Sequence, residues 1–186
     1  MDRRTTRQVH PFSVFNRIME LTTTPFRISS DTYIRRIIRR WLARYILPLI
    51  AALATLVVLG IAVNPAFFIV ALIFIFIVAP TALMFVYYFY GLTPRIVMLS
   101  TGLVTVSADE SAVTADISFD DRPSRKFTIP LSGIREITPG DSIDTIVCGS
   151  GPGDILLLDK NAFASQAARI RFHNYIFDSI SAVQKE

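Results

Sequence analysis

From Tyr45 to Pro94 the chain carries no Asp, Glu, Lys, Arg or His, an apolar run of about fifty residues. A membrane-crossing helix needs only about twenty. The run therefore predicts two crossings, Ile46 to Val63 and Ala66 to Tyr90, with Asn64 and Pro65 alone between them. Both are apolar around the whole circumference, whereas a core helix of a soluble protein keeps a polar face. Pro48 falls in the first turn of the first span, where its missing N–H does little harm, and Pro80 lies inside the second and predicts a kink.

The pattern on either side is different. Between Pro11 and Leu21, Phe12, Phe15, Ile18 and Met19 recur at helical spacing and predict a short surface helix, after which Thr22 to Pro25 reads as a linker. Ser30 or Asp31 then caps a helix in which Ile34, Ile37, Ile38, Trp41, Leu42 and Tyr45 form one stripe, with Arg35, Arg36, Arg39, Arg40 and Arg44 on the other faces. Such a helix is expected at the headgroup level of a bilayer. Its five arginines are the candidate contacts to anionic lipid, and Trp41 and Tyr45 are interface anchors, matched at the end of the second span by Tyr87, Tyr88 and Tyr90.

After Arg95 the period becomes two. Arg95 to Ser100, Gly102 to Ser107, Ala112 to Phe119, Lys126 to Pro130, Ile134 to Thr138, Thr145 to Gly149 and Asp154 to Leu158 read as seven short strands of a small antiparallel sheet or barrel. From Ser165, a candidate N-cap, to Val183, the residues Ala168, Phe172, Ile176, Ile180 and Val183 share one stripe of a closing helix. The expected architecture is a membrane α-helical hairpin plus an α+β domain: residues 1–30 as an N-terminal segment, 31–92 as basic helix and hairpin, and 93–186 as a C-terminal domain.

Charge gives this plan an orientation. The net +4 divides unevenly: ten Arg stand against three acidic residues before the first span, and nine basic against twelve acidic residues follow Tyr90. The positive-inside rule puts the N-terminus in the cytoplasm, and two crossings return the C-terminus to the same side. Because the arginines abut a span, the bilayer is the expected partner and nucleic acid is not; the arginines either contact anionic lipid or only fix the orientation and bind no particular lipid. With no ionisable group in either span, and Thr55, Gly60 and Thr81 too sparse to line a pore, an ion or proton path within one chain is not expected. Cys148 is the sole cysteine, so no internal disulfide or multi-cysteine metal site can form.

Motifs of catalysis are weak. The glycines of Gly149 to Asp154 lack the Gly-Lys-Ser/Thr ending of a phosphate loop and read as a hairpin turn. His10 and His173 lie in separate elements, with His173 expected at a surface or rim. Asp120, Asp121, Asp141, Asp144 and Asp154 read as turn residues that bond their own backbone. Arg122, Arg125, Lys126, Arg135 and Lys160 could form a basic rim on the C-terminal domain, opposed by its many acids.

The order of parts, together with Gly102–Ser107 (GLVTVS), the segment FTIPLSGIREITPGD from Phe127 and the segment ILLLDKNAFASQAARIRFHNYI from Ile155, resembles the YcxB-like family of bacterial membrane proteins. Asp159 and Asn161 replace a proline and an arginine of the family's strand-to-helix junction, and Leu131 stands where a tryptophan is often found. The resemblance implies a seven-stranded pleckstrin-homology-like (PH-like) domain capped by a C-terminal helix, and no enzyme chemistry or cofactor. The expected function is a membrane-anchored adaptor or assembly subunit at the cytoplasmic face of the inner membrane, bound to a protein partner or to itself. Two alternatives stand beside it: an anionic-lipid sensor or organiser working through the Arg-rich helix, and a small subunit of an oligomeric channel or transporter.

Overall fold

The computed structural model describes residues 21–183, so the surface helix expected from Pro11 lies outside it but for its last residue. The described chain forms two compact units that interleave along the sequence. One is helical, 28–101 with 150–153, and the other comprises residues up to 27, 102–149 and the chain from 154 onward.

The helical unit begins with α1, Ser30–Ala62. Its N-cap is Ser29, one residue before the expected position, whose hydroxyl accepts from the Thr32 N–H at 3.4 Å. The basic segment and the first span are one uninterrupted helix of 33 residues, about 50 Å at ~1.5 Å per residue. There is no separate helix for the arginines to occupy. Pro48 consequently lies deep inside α1 and removes the hydrogen bond that the Arg44 carbonyl would otherwise accept.

At the turn, Asn64 Oδ1 accepts from the Ala66 N–H at 2.8 Å and starts the return helix, α2, Ala66–Gly91. The two helices approach closely at Gly60, where an added Cβ would lie 3.0 Å from the Phe68 ring, a small-residue contact typical of helices packed in lipid. Pro80 was expected to kink the second span, and what stands beside it is a change of helix type. The turn before it, Phe74–Val78, widens to π-helical geometry, which relieves the clash between a proline ring and the carbonyl four residues earlier. A second π-turn, Tyr87–Gly91, ends the helix.

Both helices are long and apolar enough to cross a membrane. Only 6 % and 11 % of the most hydropathic window of each is buried, which is unlike a core helix of a soluble protein. A short helix, α3, Pro94–Thr101, follows where a strand from Arg95 to Ser100 was expected. Pro94 opens it, Thr93 Oγ1 accepts from the Ile96 N–H at 3.4 Å, and the buried Ile96, Leu99 and Ser100 recur at helical spacing. A short apolar run fits either period until such a cap decides between them.

Among the described residues the second unit holds two separate three-stranded antiparallel meanders, six strands in all and no closed barrel. The first contains β1 (Leu103–Ala108), β2 (Ala112–Ser118) and β3 (Arg125–Pro130). Its register pairs buried Val104 with Ile117, Val106 with Ala115, and Val113 with Ile129. The stretch Thr22 to Pro25, expected as a linker, is ordered against the free edge of β1. The Thr23 and Phe26 N–H groups donate to the Val106 and Val104 carbonyls at 2.8 and 2.9 Å, and the Val104 N–H returns a bond to Phe26. This strap occupies an edge that barrel closure would need.

The second meander contains β4 (Glu136–Thr138), β5 (Ile143–Val147) and β6 (Ile155–Asp159). Ile155, Leu156, Leu157 and Leu158 are all fully buried, so both faces of this sheet are covered. A tight turn at Asp159, whose carboxylate accepts from the Asn161 N–H at 2.8 Å, leads to α4, Gln166–Val183. Ser165 caps α4 as expected, accepting from the Ala168 N–H at 3.1 Å. Phe163 closes the sheet end edge-on to Phe172, their centroids 5.4 Å apart.

Candidate functional site

The five arginines of α1 fall on two faces. Arg35 and Arg39 are exposed, and Arg35 is held by Asp31 at 2.8 Å, one turn before it. Arg36, Arg40 and Arg44, spaced four apart, share the other face, with Arg36 and Arg40 half-buried and Arg44 exposed. Trp41 and Tyr45 lie one turn apart with ring centroids 5.3 Å apart, and the Arg44 guanidinium stands over the Tyr45 ring at 5.7 Å.

Within the helical unit, Arg40, Trp41, Arg44, Tyr45 and Tyr90 line a cavity of about 150 Å³ together with Ser150 and Pro152. Arg40 Nη1 is buried and has no hydrogen-bond partner among the described residues. Tyr87 and Tyr88 meet edge to face at 5.4 Å and are not part of this lining. Two of the five candidate arginines and three of the five candidate anchors therefore converge. The contribution of Ser150 and Pro152, a hundred residues away in sequence, was not legible from the sequence.

The other unit holds a buried polar cluster that sequence reading placed among exposed turn residues. Asp144 is fully buried inside β5, not in a turn. Arg169 of α4 donates to it from Nε at 2.7 Å and from Nη2, and also from Nη2 to the Gly140 carbonyl at 2.8 Å. His173, one turn further, meets Asp144 Oδ2 through Nε2 at 2.8 Å, and the Gly140 N–H donates to Oδ1 at 2.9 Å. Burial pushes the Asp144 carboxyl up. The hydrogen bonds from His173, Arg169 and Gly140 outweigh it and hold the group well below the usual carboxylate range.

The signal in the sequence was an acid inside the strand-like run IDTIV and an arginine three residues before Phe172 on the apolar stripe of α4. No hydroxyl or thiol bonds the His173 ring among the described residues, so the cluster fastens α4 to β5 and assembles no nucleophile. Asp109, which was not among the acids read as turn residues, does bond its own backbone: it accepts from the Ser111 and Ala112 N–H groups and from the Ser111 hydroxyl, which lowers its pKa. Gly149 to Asp154 is the β5–β6 hairpin loop, closed by the Cys148 N–H on the Asp154 carbonyl at 2.9 Å.

The expected basic rim is dispersed. Arg122, Arg125 and Lys126 are exposed on the β2–β3 hairpin, with Lys126 3.7 Å from Asp116, while Arg135 and Lys160 flank strands of the other sheet. On α4 two large apolar side chains stand exposed, Ile170 at 49 % and Phe177 at 63 %, seven residues and so two helical turns apart. No family model, curated protein or solved structure matches this chain.

Proposed function

We propose that this chain is a membrane-anchored interaction module, an adaptor or assembly subunit whose C-terminal domain is PH-like and works at the cytoplasmic face of a bacterial inner membrane. The two antiparallel meanders closed by a C-terminal helix support the PH-like reading, one strand short of the seven expected. The observation that carries the function is the pair Ile170 and Phe177. Large apolar side chains left in water two turns apart on one helix face are the anchor pattern of a helix that meets a partner. Tethering by the hairpin raises the effective concentration of that face for other membrane-bound proteins.

A photo-crosslinking residue at Phe177 or Ile170, in the full chain in native membranes, is expected to yield a discrete adduct with another protein or with a second copy. Position 122, exposed on the β2–β3 hairpin, is expected to yield none. Equal labelling from all three positions, with a monomer as the only species in mild detergent, would sink the reading.

The orientation is tested separately. In a Cys148→Ser background, Asn64→Cys in the turn is expected to react with a membrane-impermeant maleimide on intact cells, and Arg122→Cys only after lysis. The reverse pattern overturns the cytoplasmic placement.

A second reading, interaction with anionic lipid through the Arg-rich part of α1, is favoured by the convergence of Arg40 and Arg44 on one cavity beside Trp41, Tyr45 and Tyr90. It is compatible with the first, because the arginines and the exposed pair on α4 are different surfaces.

A further inference from the structure

We infer that the cavity beside Arg40 and Arg44 is a binding site for one phosphate group of an anionic phospholipid. The inference rests on the lipid reading above and narrows it from a charged helix face to one pocket. Its lining residues include two arginines and no acidic residue, with Ser150, Pro152 and the aromatic residues Trp41, Tyr45 and Tyr90 beside them. At about 150 Å³ it has room for several water molecules, and so for a phosphate.

The pointer to a ligand is Arg40 Nη1. A buried guanidinium nitrogen that lacks an acceptor carries the full desolvation penalty, and among the described residues none supplies one. A phosphate oxygen would, and the planar fork of arginine matches phosphate in a way a lysine does not. Depth agrees with chemistry. The charge-free run starts at Tyr45, directly after Arg44, and Arg40 lies four residues before Arg44, about 6 Å along the helix at ~1.5 Å per residue. A bilayer of about 40–45 Å around a hydrocarbon core of about 30 Å has a polar layer roughly 5–7 Å deep on each side. Arg40 and Arg44 therefore bracket the layer where lipid phosphates lie. The Arg35–Asp31 pair and Arg39, on the other face, are outside the pocket and supply only diffuse attraction.

Trp41 is the sole tryptophan and lines the pocket, so its emission reports occupancy in the unmodified full chain. Titrating phosphatidylglycerol into the protein in an uncharged detergent is expected to change that emission saturably, and phosphatidylcholine is expected to be much weaker. Arg40→Gln and Arg44→Gln should each raise the half-saturating lipid concentration about tenfold or more, with Arg40→Lys between them and the native chain. The double substitution Arg35→Gln, Arg39→Gln should change it no more than about twofold. Helical circular dichroism serves as the check that each variant remains folded.

If both pairs of arginines weaken binding equally, attraction is diffuse: the lipid reading stands and the pocket assignment falls. If phosphatidylglycerol and phosphatidylcholine act alike, the lipid reading fails and takes the site with it. If inorganic phosphate saturates the same signal while phosphatidylglycerol does not, the site belongs to a soluble phosphate and the lipid assignment is overturned.

Discussion

Replacing Arg169 with methionine is expected to lower the opening free energy of β5 and α4 by about 3–5 kcal/mol, the loss seen when one partner of a buried ion pair is removed. Asp144 has no exposed side-chain surface and Arg169 only 10 %. The substitution therefore leaves a carboxylate in a covered sheet with His173 and one backbone N–H as its remaining partners. Amide hydrogen exchange on the full chain in detergent measures this locally, through the amides of Ile143–Val147 and of α4. Adding Asp144→Leu should recover part of the loss, because the uncompensated charge disappears while Gly140 and His173 still lack an acceptor. A loss below about 1 kcal/mol for Arg169→Met would mean that the pair does not hold the helix.

The same cluster fixes an acid limit. A carboxyl whose folded pKa is depressed below its ordinary value of 3.8 contributes stability that is fully present above that value. The contribution is lost as pH falls through the folded pKa. Exchange protection of β5 is therefore expected to hold from neutrality down to about pH 4 and to decline below it. The decline should be shallower in Arg169→Met, where one of the bonds that depress the carboxyl is gone.

These residues also mark where sequence reading stopped. The two apolar helices were legible because fifty residues without a charge admit few other structures, and six of the seven expected strands were legible from alternation around turn residues. Arg95 to Ser100 was misread because six residues fit both periods, and only the Thr93 cap and Pro94 distinguish them. Thr22 to Pro25 looked like a linker because its hydrogen-bond partners, on β1 and at Ala162, lie some 80 to 140 residues away. The continuity of α1 hid behind the change from amphipathic to wholly apolar, which alters the solvent of a helix without ending it. Asp144 was assigned to a turn because Asp usually belongs there, and its partners are 25 and 29 residues further on. Long-range pairing is the common cause: local pattern states what an element is and not what it touches.

Gly140 is the position where that cluster is most sensitive to a single methyl group. Its N–H bonds Asp144, its carbonyl accepts from Arg169, and a Cβ built on it would lie 2.2 Å from the Ile143 carbonyl oxygen. Backbone cannot move aside as a side chain tip can, so Gly140→Ala must shift the turn that leads into β5. At least the ~1–3 kcal/mol of an overfilled site is expected, with exchange protection lost first at Asp144 and in the first turns of α4, where the clamp attaches. Gly133→Ala is the comparison: its nearest neighbour is Pro130 Cγ at 3.5 Å, an ordinary contact, and a change within about 0.5 kcal/mol is expected. If the two alanines cost the same, close packing around Gly140 is not what joins α4 to the sheet, and the Asp144–Arg169 bond holds it through side chains alone.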